Sequence, residues 1–344
     1  MQPIPCSLLL IFLTITCARP EAETLTVPDA EKQRGAHLFA RLSNDDLSML
    51  DTFNLEWITL VSWAYQEDGN SSELRHHRGD STEIRQRDSA WTARIERLRA
   101  AGYRVFVKPH VWITDPSPGT WRAELYPGDW ERWSTDYRDF ILRYARLAAA
   151  AGAEQFCIGT ELTRVSAAQP EFWRSLVAEI RTFYSGKLTY AANWYEEYER
   201  VEFWDELDYI GVQAYFPLTE RTHPDVAELN RGWQRHLPSL EKVQRQYDRP
   251  LLFTELGYKS TPDAAIHPWE WMEHQDPPPT ADPMTQANCY RAFFASVWAQ
   301  PWFAGAHIWQ LRGTGRRYRS AADDPDFSPQ GKLATEVIAG GFAH

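Results

Sequence analysis

The chain has 344 residues, 43% of them hydrophobic and 14% aromatic, which excludes extensive disorder and suffices for one large α/β barrel or two medium domains. Its 36 basic against 47 acidic side chains give a net charge of −11, which argues against nucleic acid or an anionic membrane surface as the main partner. Sixteen Trp and fifteen Tyr are many for this length, and such residues either fill cores or form the flat apolar platforms used by sugar-binding clefts.

In chain order, the first feature is the apolar run SLLLIFLTI at 7–15, the length of a signal-peptide core and too short to span a bilayer. No Lys or Arg precedes it. Residues 1–18 are therefore expected to be an export signal, with a single domain over 19–344. Two processing routes fit. TITC, ending at Cys17, loosely follows a lipobox, so that a lipidated Cys17 would anchor the chain to a membrane; TCA, ending at Ala18, suits an ordinary signal peptidase. Either places the protein outside the cytoplasm, as a secreted, periplasmic or outer-membrane species, and a monomer is expected. Of the four cysteines only Cys157 and Cys289 lie beyond the signal, so a disulfide framework is not indicated and both are expected to be buried.

After the signal, apolar runs of strand length alternate with amphipathic helical stretches. The predicted strands are 36–40, 56–65, 103–113, 155–161, 188–193, 209–215, 251–256 and 304–310. Helical patterns lie between them, among others at 89–102, 130–152, 170–184 and 286–299. Eight strands alternating with helices predict a single (β/α)8 TIM barrel. The runner-up, a doubly wound open sheet, lacks the glycine-rich phosphate loop that usually follows its first strand. Irregular stretches at 66–88 and 257–284 follow the second and seventh strands, where barrel loops build the walls of a cleft.

Two of these strands raise the same question. QFCIGTEL (155–162) and PLLFTELGYKS (250–260) are apolar runs that meet a carboxylate, Glu161 and Glu255, where an unpaired charge would be costly. At the C-terminal ends of strands four and seven both side chains enter one bowl, although 94 positions separate them. Alone, each would more often be a helix-terminus charge or an ion-pair partner. Together they are the parts needed for glycoside hydrolysis, one protonated to assist the leaving oxygen and one ionised to attack the anomeric carbon.

Competing chemistries find less support. RHHRGD (75–80) has adjacent histidines in a charged loop and lacks the H-x-H or H-E-x-x-H spacing of metal hydrolases, so no metal or other cofactor is expected. Lys108 could serve a Schiff base, but no phosphate-binding glycine motif accompanies it, and Lys108 and His110 are expected instead as polar contacts to sugar hydroxyls at the bottom of the cleft, with Trp112 beside them; a satisfied ion pair is the alternative. No G-x-S-x-G nucleophile elbow is present. A carbohydrate-binding barrel that has lost catalysis should lack one of the two glutamates, and both are present.

The segments IGTEL, LLFTELGYKS, VKPHVWI, YIGVQAYFPL and FSPQGKLA resemble glycoside hydrolase family 113, a retaining family of clan A that includes β-1,4-mannanases. The resemblance covers most of the chain after the signal. It implies hydrolysis of β-1,4-linked mannan or manno-oligosaccharides, with Glu161 as general acid/base, Glu255 as nucleophile and Tyr215 donating a hydrogen bond to the nucleophile. Much of the clan carries Asn immediately before the acid, to hold the sugar 2-OH; this chain has Thr160, and Asn193 is the substitute considered. Trp63, Trp112, Trp194 and Trp309 stand near predicted strand ends as candidate stacking platforms, with Trp309 foremost. HPWEWMEHQ (267–275) reads as a cleft wall or as a loop packed on itself. Another β-linked glycan, such as glucan or glucomannan, remains open, because fold and carboxylate pair do not specify the sugar.

Overall fold

In the computed structural model, residues 25–76, 79–115, 121–271, 279–314 and 323–343 are described. The predicted signal, with Cys17, and the second histidine of RHHRGD lie outside them.

Eight parallel strands close into a barrel in sequence order. They are β1 (Gln33–Phe39), β2 (Trp57–Gln66), β3 (Arg104–Ile113), β4 (Gln155–Thr160), β5 (Lys187–Asn193), β6 (Tyr209–Gln213), β7 (Leu251–Leu256) and β8 (Phe303–Arg312). Each predicted strand is present, with ends shifted by a few residues. The largest change at a functional position is in β6, which stops at Gln213, so Tyr215 stands just beyond the sheet. The helices are α1 (Asn44–Asp51), α2 (Ser81–Ala100), α3 (Trp130–Ala151), α4 (Thr163–Ala168), α5 (Pro170–Arg181), α6 (Val226–Tyr247), α7 (Pro283–Phe293) and α8 (Leu333–Gly341).

Two helical expectations need correction. The stretch 66–88 is not irregular throughout, because α2 begins at Ser81, where Asp80 and Glu83 form a reciprocal capping box. Its first turns are almost wholly polar and exposed, so they carry no apolar stripe to betray a helix. The pattern at 286–299 is not one α-helix: α7 ends at Phe293 and a π-helical turn over Phe294–Trp298 completes it. Between β5 and β6 there is no α-helix, only turns and the 3-10 helix Trp204–Glu206.

Apolar burial is divided by the sheet. Trp133, Trp173, Trp204, Trp233 and Trp302 are buried among the largest side chains of the main core. A smaller cluster of Trp57, Phe106, Cys157 and Ala191 draws on β2 to β5. Side chains alternate along a strand, so Phe106 and Lys108 share one face of β3, as do Ala191 and Asn193 on β5. The polar residues thus stand one repeat nearer the C-terminal end than this apolar cluster. Cys157 and Cys289 are buried free thiols.

Candidate active site

β4 ends at Thr160, and Glu161 takes a left-handed backbone with φ of 54°, unusual for a side chain of this size. Its own N–H donates to the Ala191 carbonyl at 2.8 Å, and the next N–H, of Leu162, donates to Tyr190 Oη at 2.8 Å. β4 can pack close to its surroundings because residue 159 is glycine: a Cβ there would lie 2.7 Å from Tyr190 and 2.8 Å from both Trp173 and Tyr137. Glu161 is only 4% exposed. Its Oε2 accepts two hydrogen bonds from Arg122, from Nε at 2.9 Å and Nη2 at 2.6 Å. Burial pushes this carboxyl above its ordinary range, and the Glu255 charge adds to the rise, while Arg122 and Lys108 act against it.

Glu255, 3% exposed, comes from β7 beside Gln213 of β6, where the register shifts. Its Oε1 accepts from Lys108 Nζ at 2.6 Å and its Oε2 from Tyr215 Oη at 2.6 Å. Lys108 also donates to Gln213 Oε1 at 2.6 Å. The Nε2 atoms of His37 and His110 each stand 3.7 Å from Glu255 Oε1, outside hydrogen-bond distance. Burial first, then the Lys108 charge, holds both imidazoles well below the usual histidine range, so they are neutral near pH 7. Burial also lowers the Lys108 ammonium, with Glu255 as the main opposing influence. For the Tyr215 hydroxyl, burial and the adjacent Glu255 push the pKa well up.

The two glutamates therefore share one electrostatic neighbourhood but have different partners. Glu161 is met by a guanidinium on the loop after β3; Glu255 is met by a lysine on β3 and a tyrosine after β6. The Glu255 charge acts on Glu161, and both glutamates act on Lys108 and Tyr215.

The aromatic residues separate by exposure. Trp112 is 50% exposed and packs edge-on against Trp63, with centroids 5.7 Å apart, while Trp63 in turn meets His110 edge-on at 5.1 Å. Trp309 is only 7% exposed and clusters with Tyr215 and Phe327, edge-on to His37 at 5.0 Å. The described part of HPWEWMEHQ packs on the site as well as on itself. Trp269 stacks on Trp194 at 5.1 Å and meets His267 at the same distance, and Trp271 meets Trp309 at 6.2 Å.

Asn193 is placed differently from a free sugar donor. Its Nδ2 donates to Thr163 Oγ1 at 2.8 Å and to Glu197 Oε2 at 3.0 Å, so the protein itself occupies the amide nitrogen. Sequence reasoning missed Arg122, His37 and Glu197. Arg122 lies in a short 3-10 helix, Arg122–Glu124, with no pattern of its own. His37 did carry a signal, an imidazole inside the apolar run AHLFA.

No curated protein sequence matches the chain. Among solved structures, a β-mannanase from Alicyclobacillus acidocaldarius in complex with ManMIm is 27% identical, with TM-score 0.76 over 91% of this chain and 97% of that one. A complex structure of a family 113 β-1,4-mannanase is 25% identical, also with TM-score 0.76, over 91% of this chain and 99% of that one. The description Glycoside Hydrolase Family 113 matches residues 30–332. A closed eight-stranded barrel and a family match over most of its length establish that this chain belongs to glycoside hydrolase family 113.

Proposed function

We propose that this hydrolase cleaves β-1,4-linked mannan or manno-oligosaccharides by double displacement with net retention, Glu255 being the nucleophile and Glu161 the acid/base. The observation that carries the reading is the contrast in partners. Lys108 and Tyr215 hold both oxygens of Glu255 in place, which orients a nucleophile without general-acid chemistry of its own. Glu161 leaves one carboxyl oxygen clear of Arg122 and has a pKa raised by burial, the property required of a group that carries a proton near neutral pH.

In the first step Glu255 attacks C1 while Glu161 protonates the departing glycosidic oxygen, giving a glycosyl-enzyme ester and a free hydroxyl on the leaving sugar. In the second, Glu161, now ionised, takes a proton from water, whose oxygen attacks C1 and returns Glu255 as carboxylate. Exposed Trp112, Trp269 and Trp271 supply apolar faces for sugar rings around the site. The mannanase neighbours support the choice of sugar.

Reducing-end release from mannan, glucomannan, xylan and β-glucan, with product sizes and the anomer followed by NMR, tests the proposal. Mannan turnover with initial release of the β-anomer is expected. Preference for xylan or β-glucan would overturn the substrate, and initial α-anomer the mechanism. Export through residues 1–18 is likewise proposed on the sequence alone; mass spectrometry of the mature N-terminus, seeking a diacylglyceryl group on Cys17, decides between anchoring and release.

A further inference from the structure

Glu197 is a carboxylate that the proposed chemistry does not use, and it is 1% exposed. Four donors converge on it. Oε1 accepts from Tyr190 Oη at 2.6 Å and Ser166 Oγ at 2.9 Å; Oε2 accepts from the Asn193 N–H at 2.8 Å and Asn193 Nδ2 at 3.0 Å. Burying a carboxylate is expensive unless its oxygens are hydrogen-bonded, and here both are.

Its connections lead back to Glu161. The Leu162 N–H donates to Tyr190 Oη, and the same hydroxyl donates onward to Glu197, so a two-bond relay runs from the peptide following Glu161 to the buried carboxylate. Ser166 adds a second link from α4, the helix that starts two residues after Glu161. Asn193 adds a third: its Nδ2 bridges Glu197 and Thr163 Oγ1. One carboxylate therefore ties the end of β5 to the turn after Glu161 and to the start of α4. The backbone it restrains is the one with φ of 54°, a conformation that a non-glycine residue keeps only where its surroundings hold it.

We propose that Tyr190 and Glu197 are positioning residues for Glu161, holding the strained turn after β4 so that the acid/base carboxyl points at the glycosidic oxygen. Neither touches substrate. The inference rests on the acid/base role of Glu161 and adds that this role is set from behind the sheet. A small displacement of a proton donor is costly only where the reaction needs its proton.

The test compares aryl β-mannobiosides with a good leaving group, 2,4-dinitrophenol, and a poor one, phenol, at a concentration series giving kcat/KM. Departure of dinitrophenolate needs almost no protonation, whereas departure of phenolate does. Tyr190→Phe keeps the ring and removes only the relay hydroxyl; Glu197→Gln replaces an acceptor facing Asn193 with a donor. Each is expected to lower kcat/KM for the phenyl substrate by roughly tenfold or more, within the range a general acid contributes, while the dinitrophenyl substrate changes by less than about twofold. In the double variant the losses should not multiply, because one relay is cut twice.

Equal losses on both substrates, or none on either, would overturn the positioning role, and Tyr190→Phe decides this if Glu197→Gln does not fold. Glu161→Ala is the control for the underlying reading. If it shows the selective loss and azide restores its dinitrophenyl turnover while the Tyr190 and Glu197 variants show no selectivity, the acid/base assignment stands and the relay falls. If Glu161→Ala itself shows no selectivity, both fall.

Discussion

Lys108 Nζ and Glu255 Oε1 lie 2.6 Å apart, the lysine fully buried and the carboxylate nearly so, joining β3 to β7 across 147 positions of sequence. The nucleophile proposed here is thus also half of a buried ion pair. Function and stability meet in one side chain.

Replacing Glu255 therefore has two effects. Glu255→Gln is expected to cut turnover by roughly 10⁴-fold or more, as loss of a nucleophile does. It also replaces the charge that faces the Lys108 cation by a neutral amide, leaving only uncharged acceptors around it, among them Gln213 and the Thr254 carbonyl, and breaking a buried pair costs about 3 to 5 kcal/mol. Lys108→Met in the same chain should recover much of that stability and none of the activity. Thermal and denaturant melting check the loss of stability, and a single variant as stable as the parent would contradict it.

Arg122 should set the alkaline limb of the pH profile. As general acid Glu161 must be protonated, and kcat/KM is lost as pH rises through its raised pKa. The guanidinium favours the carboxylate form, so removing it leaves burial less opposed. Arg122→Met is expected to shift the alkaline limb of kcat/KM to higher pH. A shift toward lower pH would show that the arginine does not act on this carboxyl.

The same carboxyl makes stability depend on pH. A glutamate whose folded pKa exceeds its unfolded value favours folding below the ordinary range, near pH 4, and that contribution is lost as pH rises through the folded value. Glu161→Gln, neutral throughout, should melt above the parent at pH 7, with the gap closing below about pH 4. Melting curves at a series of pH values test the sign.

Trp112 and Trp309 should respond differently to truncation. Trp112→Ala removes a half-exposed ring and is expected to raise KM for mannan by roughly twofold to tenfold, the worth of one stacking contact, with little change in melting. Trp309→Ala removes a ring packed against Tyr215, Phe327 and His37 and should cost about 3 to 5 kcal/mol of stability. Equal melting temperatures would show that Trp309 is a platform more than a core residue.

The eight strands were legible because barrel strands buried on both faces are near-continuous apolar runs, a signal each segment carries locally. Glu161 and Glu255 were visible as charges that ended such runs. The hydrogen bond from Tyr215 to Glu255 is implied by the family resemblance alone, and the structure brings the two side chains into contact. The polar opening turns of α2 were not legible, because a helix with no apolar face there has only its cap to announce it.

The amino-acid order alone determined how many strands there are and in what order they alternate with helices, and hence which carboxylates reach the open end of the barrel. It did not determine what each carboxylate meets. Arg122 on Glu161, Lys108 on Glu255 and Tyr190 with Glu197 behind the turn are pairings made by closure of the barrel, which sets side by side residues far apart in the chain. Periodicity is a property of neighbours along the sequence. The electrostatics that separate two otherwise alike glutamates depend on neighbours in space, and only the folded chain supplies those.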